Sequence, residues 1–97
     1  MNYQAAEQKY GTVYHNGREY ALTSDADYTN RLLPGGYVNL QDAQDGDRYN
    51  FEMQASAMDK NGHEFAVVWI FTGTKGDNDP ELSDYDYSMA DEVTQIT

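Results

Sequence analysis

The alternation of apolar and polar positions is clearest between Arg48 and Gly73, RYNFEMQASAMDKNGHEFAVVWIFTG. Tyr49, Phe51, Met53, Ala55 and Ala57 fall at every second place, and Asn50, Glu52, Gln54 and Ser56 lie between them. A period of two predicts a strand with one face on a core and one on solvent. Asp59-Lys60-Asn61-Gly62 then predicts a tight turn. Asp59 can bond the backbone ahead of it, and Gly62 can take the left-handed position that closes a bulged hairpin. Phe65-Ala66-Val67-Val68-Trp69-Ile70-Phe71 is apolar at consecutive positions, which predicts a strand covered on both faces and central in its sheet.

A second hairpin is marked by Asn16-Gly17, flanked by Tyr10 to His15 and by Arg18 to Thr23. Asn-Gly suits a two-residue loop because both central residues need positive φ. In that register Val13 and His15 share a face, as do Tyr20 and Leu22. The rest of the chain is less periodic. Residues 1–9 read as a frayed arm or a short helical turn. Ser24 followed by Asp25, Ala26 and Asp27 reads as an N-cap with acids in a first turn, ended by Pro34-Gly35-Gly36. Tyr37 to Leu40 reads as a short strand, Asp42 to Asp47 as a polar turn, and Glu92 to Thr97 as a final strand. These elements predict one domain over residues 1–97, mainly β with α+β as the variant. Its sheet is a small antiparallel meander of five to six strands, built from the two hairpins and the C-terminal strand, with one or two short helical turns. Phe51, Met53, Phe65, Val67, Trp69 and Leu22 are the expected core.

Charge changes the picture most. Seventeen acids against six bases give a formal net charge of −11 on 97 residues. Such a chain lacks the basic footprint that direct binding to nucleic acid or to an anionic membrane requires, and it favours a basic protein partner. With no cysteine, neither a disulfide framework nor a thiolate metal site is available, which fits a reducing compartment. No apolar run approaches the roughly 18 residues of a membrane span, and MNYQAAEQKYG lacks a secretory pattern. The expected location is the cytoplasm.

Candidate chemistry is sparse. Asp42 to Asp47 and Asp77-Asn78-Asp79 cluster oxygens, but neither meets the calcium-loop spacing, since Gly46 falls one place early relative to Asp42. No metal or cofactor is expected. His15 and His63 each flank a hairpin turn, and one titrating ring needs further organised groups before it does chemistry. No nucleophile elbow, zinc helix or phosphate-binding glycine loop is present. An Asp84/Asp86 couple would need a cleft and one carboxyl raised by burial to act on a glycoside. The chain reads as a non-enzyme with no catalytic residues.

Nine tyrosines stand among acids rather than among the Lys and Arg of single-strand binders. That mixture suits a protein interface or the edge of a small β core. The 74–91 stretch reads as an acidic loop, and after Gly76 there are seven acids and no base. If Asp84-Tyr85-Asp86-Tyr87 is extended, the two acids point one way about 6.6 Å apart and the two tyrosines the other. Carboxylates in a row imitate phosphate charge toward Lys and Arg. Asp77, Asp79, Glu81, Asp84, Tyr85, Asp86 and Tyr87 are therefore the candidate partner-binding residues.

The frame from the Asn-Gly hairpin through Tyr20-Ala21-Leu22-Thr23 to His63-Glu64-Phe65-Ala66-Val67-Val68-Trp69 and Ser83-Asp84-Tyr85-Asp86 resembles small proteins of bacteriophages and mobile elements. In size, charge and lack of catalytic motifs the chain is similar to anti-CRISPR and anti-restriction inhibitors, several of which mimic nucleic acid. The resemblance implies a binding inhibitor of a host nucleic-acid-targeting defence complex. It would compete for the basic channel of a host nuclease and act as a monomer or homodimer in the host cytoplasm. The alternative is an interaction or dimerisation module that uses a tyrosine-rich sheet face without mimicry.

Overall fold

The computed structural model describes residues 1–33, 37–76 and 81–97. Its frame is the predicted central hairpin. Strand β5 (Arg48–Met58) and strand β6 (Glu64–Thr74) pair antiparallel over eleven residues each. Phe51 faces Phe71, Met53 faces Trp69, Ala55 faces Val67 and Ala57 faces Phe65, so the apolar sets of both strands share one face. Trp69 and Val67 are fully buried there. The turn closes as its residues require. Gly62 has φ 84°, and Asp59 Oδ1 accepts from the backbone N–H groups of Asn61 and His63 at 2.9 Å each.

The Asn-Gly hairpin joins β1 (Thr12–His15) to β2 (Arg18–Leu22), with Asn16 at φ 52° and Gly17 at φ 76°. Its register sets Val13 opposite Tyr20, both buried. Strand β2 docks on the far end of β5, pairing Ala21 with Met58 and Leu22 with Ala57. Strand β7 (Glu92–Gln95) pairs antiparallel with Phe65 to Val68 of β6. The path is β1-β2-β5-β6-β7, a mainly antiparallel meander with the expected core residues buried.

Among the described residues two short strands complete a seven-stranded sheet, beyond the five or six expected. β3 (Asp27–Tyr28) pairs antiparallel with Met53 and Gln54, and β4 (Val38–Asn39) runs parallel to Tyr49 and Asn50. Here the helical turn expected at Ser24 is overturned. The Ser24 hydroxyl accepts from the Ser56 N–H at 2.9 Å, and the chain beyond it runs along the β5 edge. Strand β2 satisfies only one end of that edge, and pairing the remaining backbone groups outweighs an isolated helical turn with its costly nucleus. The Pro34-Gly35-Gly36 turn lies outside the described residues. The Asp42 to Asp47 stretch begins on a 3-10 turn, Leu40–Asp42.

The N-terminal nine residues form no frayed arm. Helix α1 (Tyr3–Tyr10) starts where the Asn2 side chain accepts from the Ala5 N–H at 2.8 Å, and it stops at Gly11, φ 87°. It packs on β2 through buried Ala6, and the Tyr3 hydroxyl donates to Glu19 Oε1 at 2.6 Å. The expectation for β6 holds over only half its length. Strand β7 makes β6 central as far as Val68, but the second face of β6 is only half-buried at Ala66 and Val68 and exposed at Ile70.

The last segment also ties the two ends of the path together. The Tyr14 N–H donates to Ser88 O at 2.8 Å and the Ala90 N–H to Tyr14 O at 2.9 Å, forming a parallel bridge between Tyr14 and Met89. One residue later the Asp91 N–H donates to Val68 O at 2.9 Å. The sheet thus curls so that β1 and β6 share one strip of chain.

Two substitutions test this packing. Trp69→Ala empties a fully enclosed ring site and is expected to cost about 3–5 kcal/mol, a large part of the stability of a domain this size. A urea midpoint equal to that of the parent would show the core to be elsewhere. At Gly73 an added Cβ would meet the Tyr49 and Tyr85 hydroxyl oxygens, each at 2.6 Å. Overpacking of that kind costs about 1–3 kcal/mol, more than the roughly 0.4–1 kcal/mol gained by restricting the unfolded chain. Gly73→Ala should therefore lower the melting temperature.

Candidate functional site

The candidate acidic strip is built from the core outward. Its tyrosines are anchors. Tyr85 stacks on Phe71 with ring centroids 4.7 Å apart and meets Phe51 edge-on at 5.3 Å. Tyr87 meets Trp69 edge-on at 5.3 Å and Phe71 at 5.0 Å. The Trp69 Nε1–H donates to Tyr87 O at 3.0 Å, satisfying the one polar atom of a buried indole. Both tyrosines are half-buried, and Asp84 and Asp86 on either side of Tyr85 are exposed. Burial of the Tyr87 ring, reinforced by nearby Tyr28 and Tyr85, holds its phenol above the usual range.

Each acid of the strip is also fixed locally. Glu81 and Asp84 cap the 3-10 turn Leu82–Asp84 reciprocally, each side chain accepting from the other's backbone N–H. Asp86 Oδ1 accepts from the Ser88 N–H at 2.9 Å. Hydrogen bonds from the Ser88 side chain and backbone hold the Asp86 carboxyl below the ordinary value, so it stays charged into mild acid. Asp91 Oδ2 accepts from the Ile70 N–H at 2.7 Å, on the part of β6 that β7 leaves uncovered. Asp77 and Asp79 lie outside the described residues. Of the seven candidates, the structure thus brings Glu81, Asp84, Tyr85, Asp86 and Tyr87 into one short strip, with the two tyrosines turned toward the core.

A second polar cluster was not signalled by any motif. Glu52, placed on the polar face of β5 by the alternation, is only 6% exposed. Its Oε1 accepts from Thr29 Oγ1 at 2.8 Å and from Arg31 Nε at 3.1 Å, and its Oε2 from Arg31 Nε at 3.0 Å and from Arg31 Nη2. The Arg31 guanidinium holds the Glu52 carboxyl below its usual range against the opposing effect of burial, with Thr29 assisting. Asn50, two residues earlier, is equally buried, and its Oδ1 has no protein partner. A buried acid and amide at i and i+2 within a strand were the available signal, but only the position of the 29–31 segment shows what covers them.

On a further edge, both oxygens of Glu19 accept phenolic protons, from Tyr3 and from Tyr14. Those two bonds hold the Glu19 carboxyl low. His63 Nδ1 lies 3.1 Å from Asp59 Oδ2, and His15 Nδ1 lies 3.1 Å from Ala90 O. The two rings therefore sit at different hairpin turns, each with its own partner. Among the described residues no group of three His, Asp or Glu side chains is placed to hold a metal ion, and no helix is long and apolar enough to cross a membrane. No protein-family model, curated protein or solved structure matches the chain.

The Glu52 pair yields a pH prediction with a definite sign. A carboxyl whose folded pKa is lowered binds more protons when unfolded, so its contribution is fully present above the unfolded value of about 4.3 and is lost as pH falls through the folded value. Glu52→Gln should cost about 1.5–3 kcal/mol at pH 7, the range for a hydrogen bond to a charged group. In thermal melts from neutral pH to pH 3, the gap between parent and variant should narrow below about pH 4. A gap that is constant with pH would mean that the ionised pair does not stabilise the fold.

Proposed function

We propose that this protein is a non-enzymatic binding inhibitor that presents carboxylates to a basic nucleic-acid channel of a host defence nuclease. The observation that carries the reading is the division of labour in Asp84-Tyr85-Asp86-Tyr87. The tyrosines pack on Phe71, Phe51 and Trp69, and the acids between them are exposed. A partner thus meets carboxylates already ordered on a core, with less conformational entropy to lose on binding. The net charge of −11 adds long-range attraction toward a basic surface. The same geometry counts against the tyrosine-face alternative, because Tyr20, Tyr49, Tyr85 and Tyr87 spend much of their ring area inside the protein.

The test is target-DNA cleavage by a panel of RNA-guided and restriction nucleases, with and without the protein. At least one nuclease should be inhibited, and association should slow steeply as salt rises, because exposed charge is screened within about 10 Å at 0.1 M. Replacing Glu81 with Gln and Asp84 and Asp86 with Asn keeps hydrogen-bond acceptors for the local backbone bonds. That variant should fold as the parent does, within about 0.5 kcal/mol per site, yet bind more slowly. If every nuclease cleaves at its full rate, the inhibitor reading fails. If the neutralised variant inhibits at the parent's rate, the acidic strip is not the contact.

A further inference from the structure

Where β3 and β4 approach the same edge of β5, they leave a notch. β3 pairs with Met53 and Gln54 and β4 with Tyr49 and Asn50; beyond β3 the Thr29 N–H donates to Glu52 O at 3.2 Å, and no strand residue is paired opposite Phe51 on this edge. The notch is a cavity of about 150 Å³. It adjoins an open groove of about 670 Å³ through shared residues Tyr28, Leu40, Gln41 and Phe51. Among the described residues two buried side-chain polar atoms lack a protein partner, Asn50 Oδ1 and the Tyr85 hydroxyl. Asn50 lines the notch and Tyr85 lines the groove. Buried polar groups are almost always satisfied, so the unpartnered Asn50 oxygen beside the notch points to a polar ligand there, whereas the Tyr85 hydroxyl sits against Gly73 and Tyr49. A single bridging water needs only about 10–15 Å³, an order of magnitude less than the notch alone.

The lining narrows the chemistry of that ligand. Four side-chain amides, Asn30, Asn39, Gln41 and Asn50, border the notch, and each amide both donates and accepts, as a hydroxyl does. The one charged couple there, Arg31 and Glu52, is already paired, so the notch has no unbalanced charge of its own. Tyr28, Phe51 and Leu40 supply apolar surface beside the amides. The formal charge of −11 disfavours an anion, and the pairing of Glu52 with Arg31 leaves no free carboxylate in the notch for a cation. We infer that the notch binds a neutral pyranose, its hydroxyls on the amides and its C–H face against Tyr28, Phe51 and Leu40. The notch itself is lined by none of the acidic-strip residues, although Glu81 and Tyr85 line the adjoining groove, and the inference does not rest on the inhibitor reading.

Amide resonances of the intact chain would be followed while adding methyl β-D-glucopyranoside, methyl α-D-mannopyranoside or N-acetylglucosamine, with methylguanidinium as the cationic control. One-ring ligands bind in the millimolar range. At least one sugar should therefore give saturable shifts confined to the side-chain amides of Asn39, Gln41 and Asn50 and to neighbouring backbone. Gln41 is exposed, so Gln41→Ala leaves the fold intact. It should weaken that binding about fivefold, as expected for one lost hydrogen bond. Asn50→Leu, checked for a native melt, should weaken it at least as much. The inference is overturned if no sugar gives a saturable shift, as a notch holding only ordered water would behave. It is equally overturned if Gln41→Ala binds as the parent does, or if methylguanidinium saturates the site and the sugars do not.

Discussion

The bond from the Trp69 indole to Tyr87 O is the contact on which the two halves of the molecule depend. One face of the β5–β6 hairpin carries the largest rings in the protein, and a lone hairpin cannot keep them from water. The C-terminal segment covers them with Tyr85 and Tyr87, and the indole bond aligns that cover with the middle of the hairpin. The same segment then bonds β1 through Tyr14 and β6 through Val68 within a few residues. A chain without disulfides thereby closes its sheet with backbone pairing alone. Any change that loosens the segment would release both the core cover and the sheet closure.

This arrangement links stability to the proposed activity. The acids that a basic partner would meet lie on the segment that seals the core. Their orientation is a consequence of where the tyrosines must go. Because each acid also accepts a backbone N–H, the strip tolerates its own repulsion by spending part of each charge on local bonds. Replacing the tyrosines would disturb folding and charge display together, whereas amide replacements at the acids separate the two.

The edge of β5 makes a different kind of use of limited material. Three separate strands share that edge, β2 at one end, β3 in the middle and β4 at the other. The notch lies where β3 and β4, running in opposite senses along β5, both end short of Phe51. Glu52 and Asn50, which a solvent-facing assignment would leave wet, are buried there by the returning chain. Glu52 is matched by Arg31 and Thr29, whereas Asn50 is left with an unpartnered oxygen.

Local chemistry determined a good deal of this protein. The Asn16-Gly17 and Asp59 to Gly62 turns, the period-two face of β5 and the extended character of β7 all follow from φ preferences and strand propensity, which act within a few residues. Asp84 and Asp86 are exposed and Tyr85 and Tyr87 half-buried, but Asp84 ends a 3-10 turn, so this is not the alternation of an extended strand. Long-range pairing decided the rest. Ser24 carries the chemistry of a helix cap, yet the unpaired edge of β5 drew it and the following residues into extended structure. Asn2 and the alanines after it were compatible with an arm or a turn until packing on β2 made them a helix. The notch beside Asn50 depends on residues 28–31, 39–41 and 50–52 converging, and no local pattern in any one of them records the presence of the others.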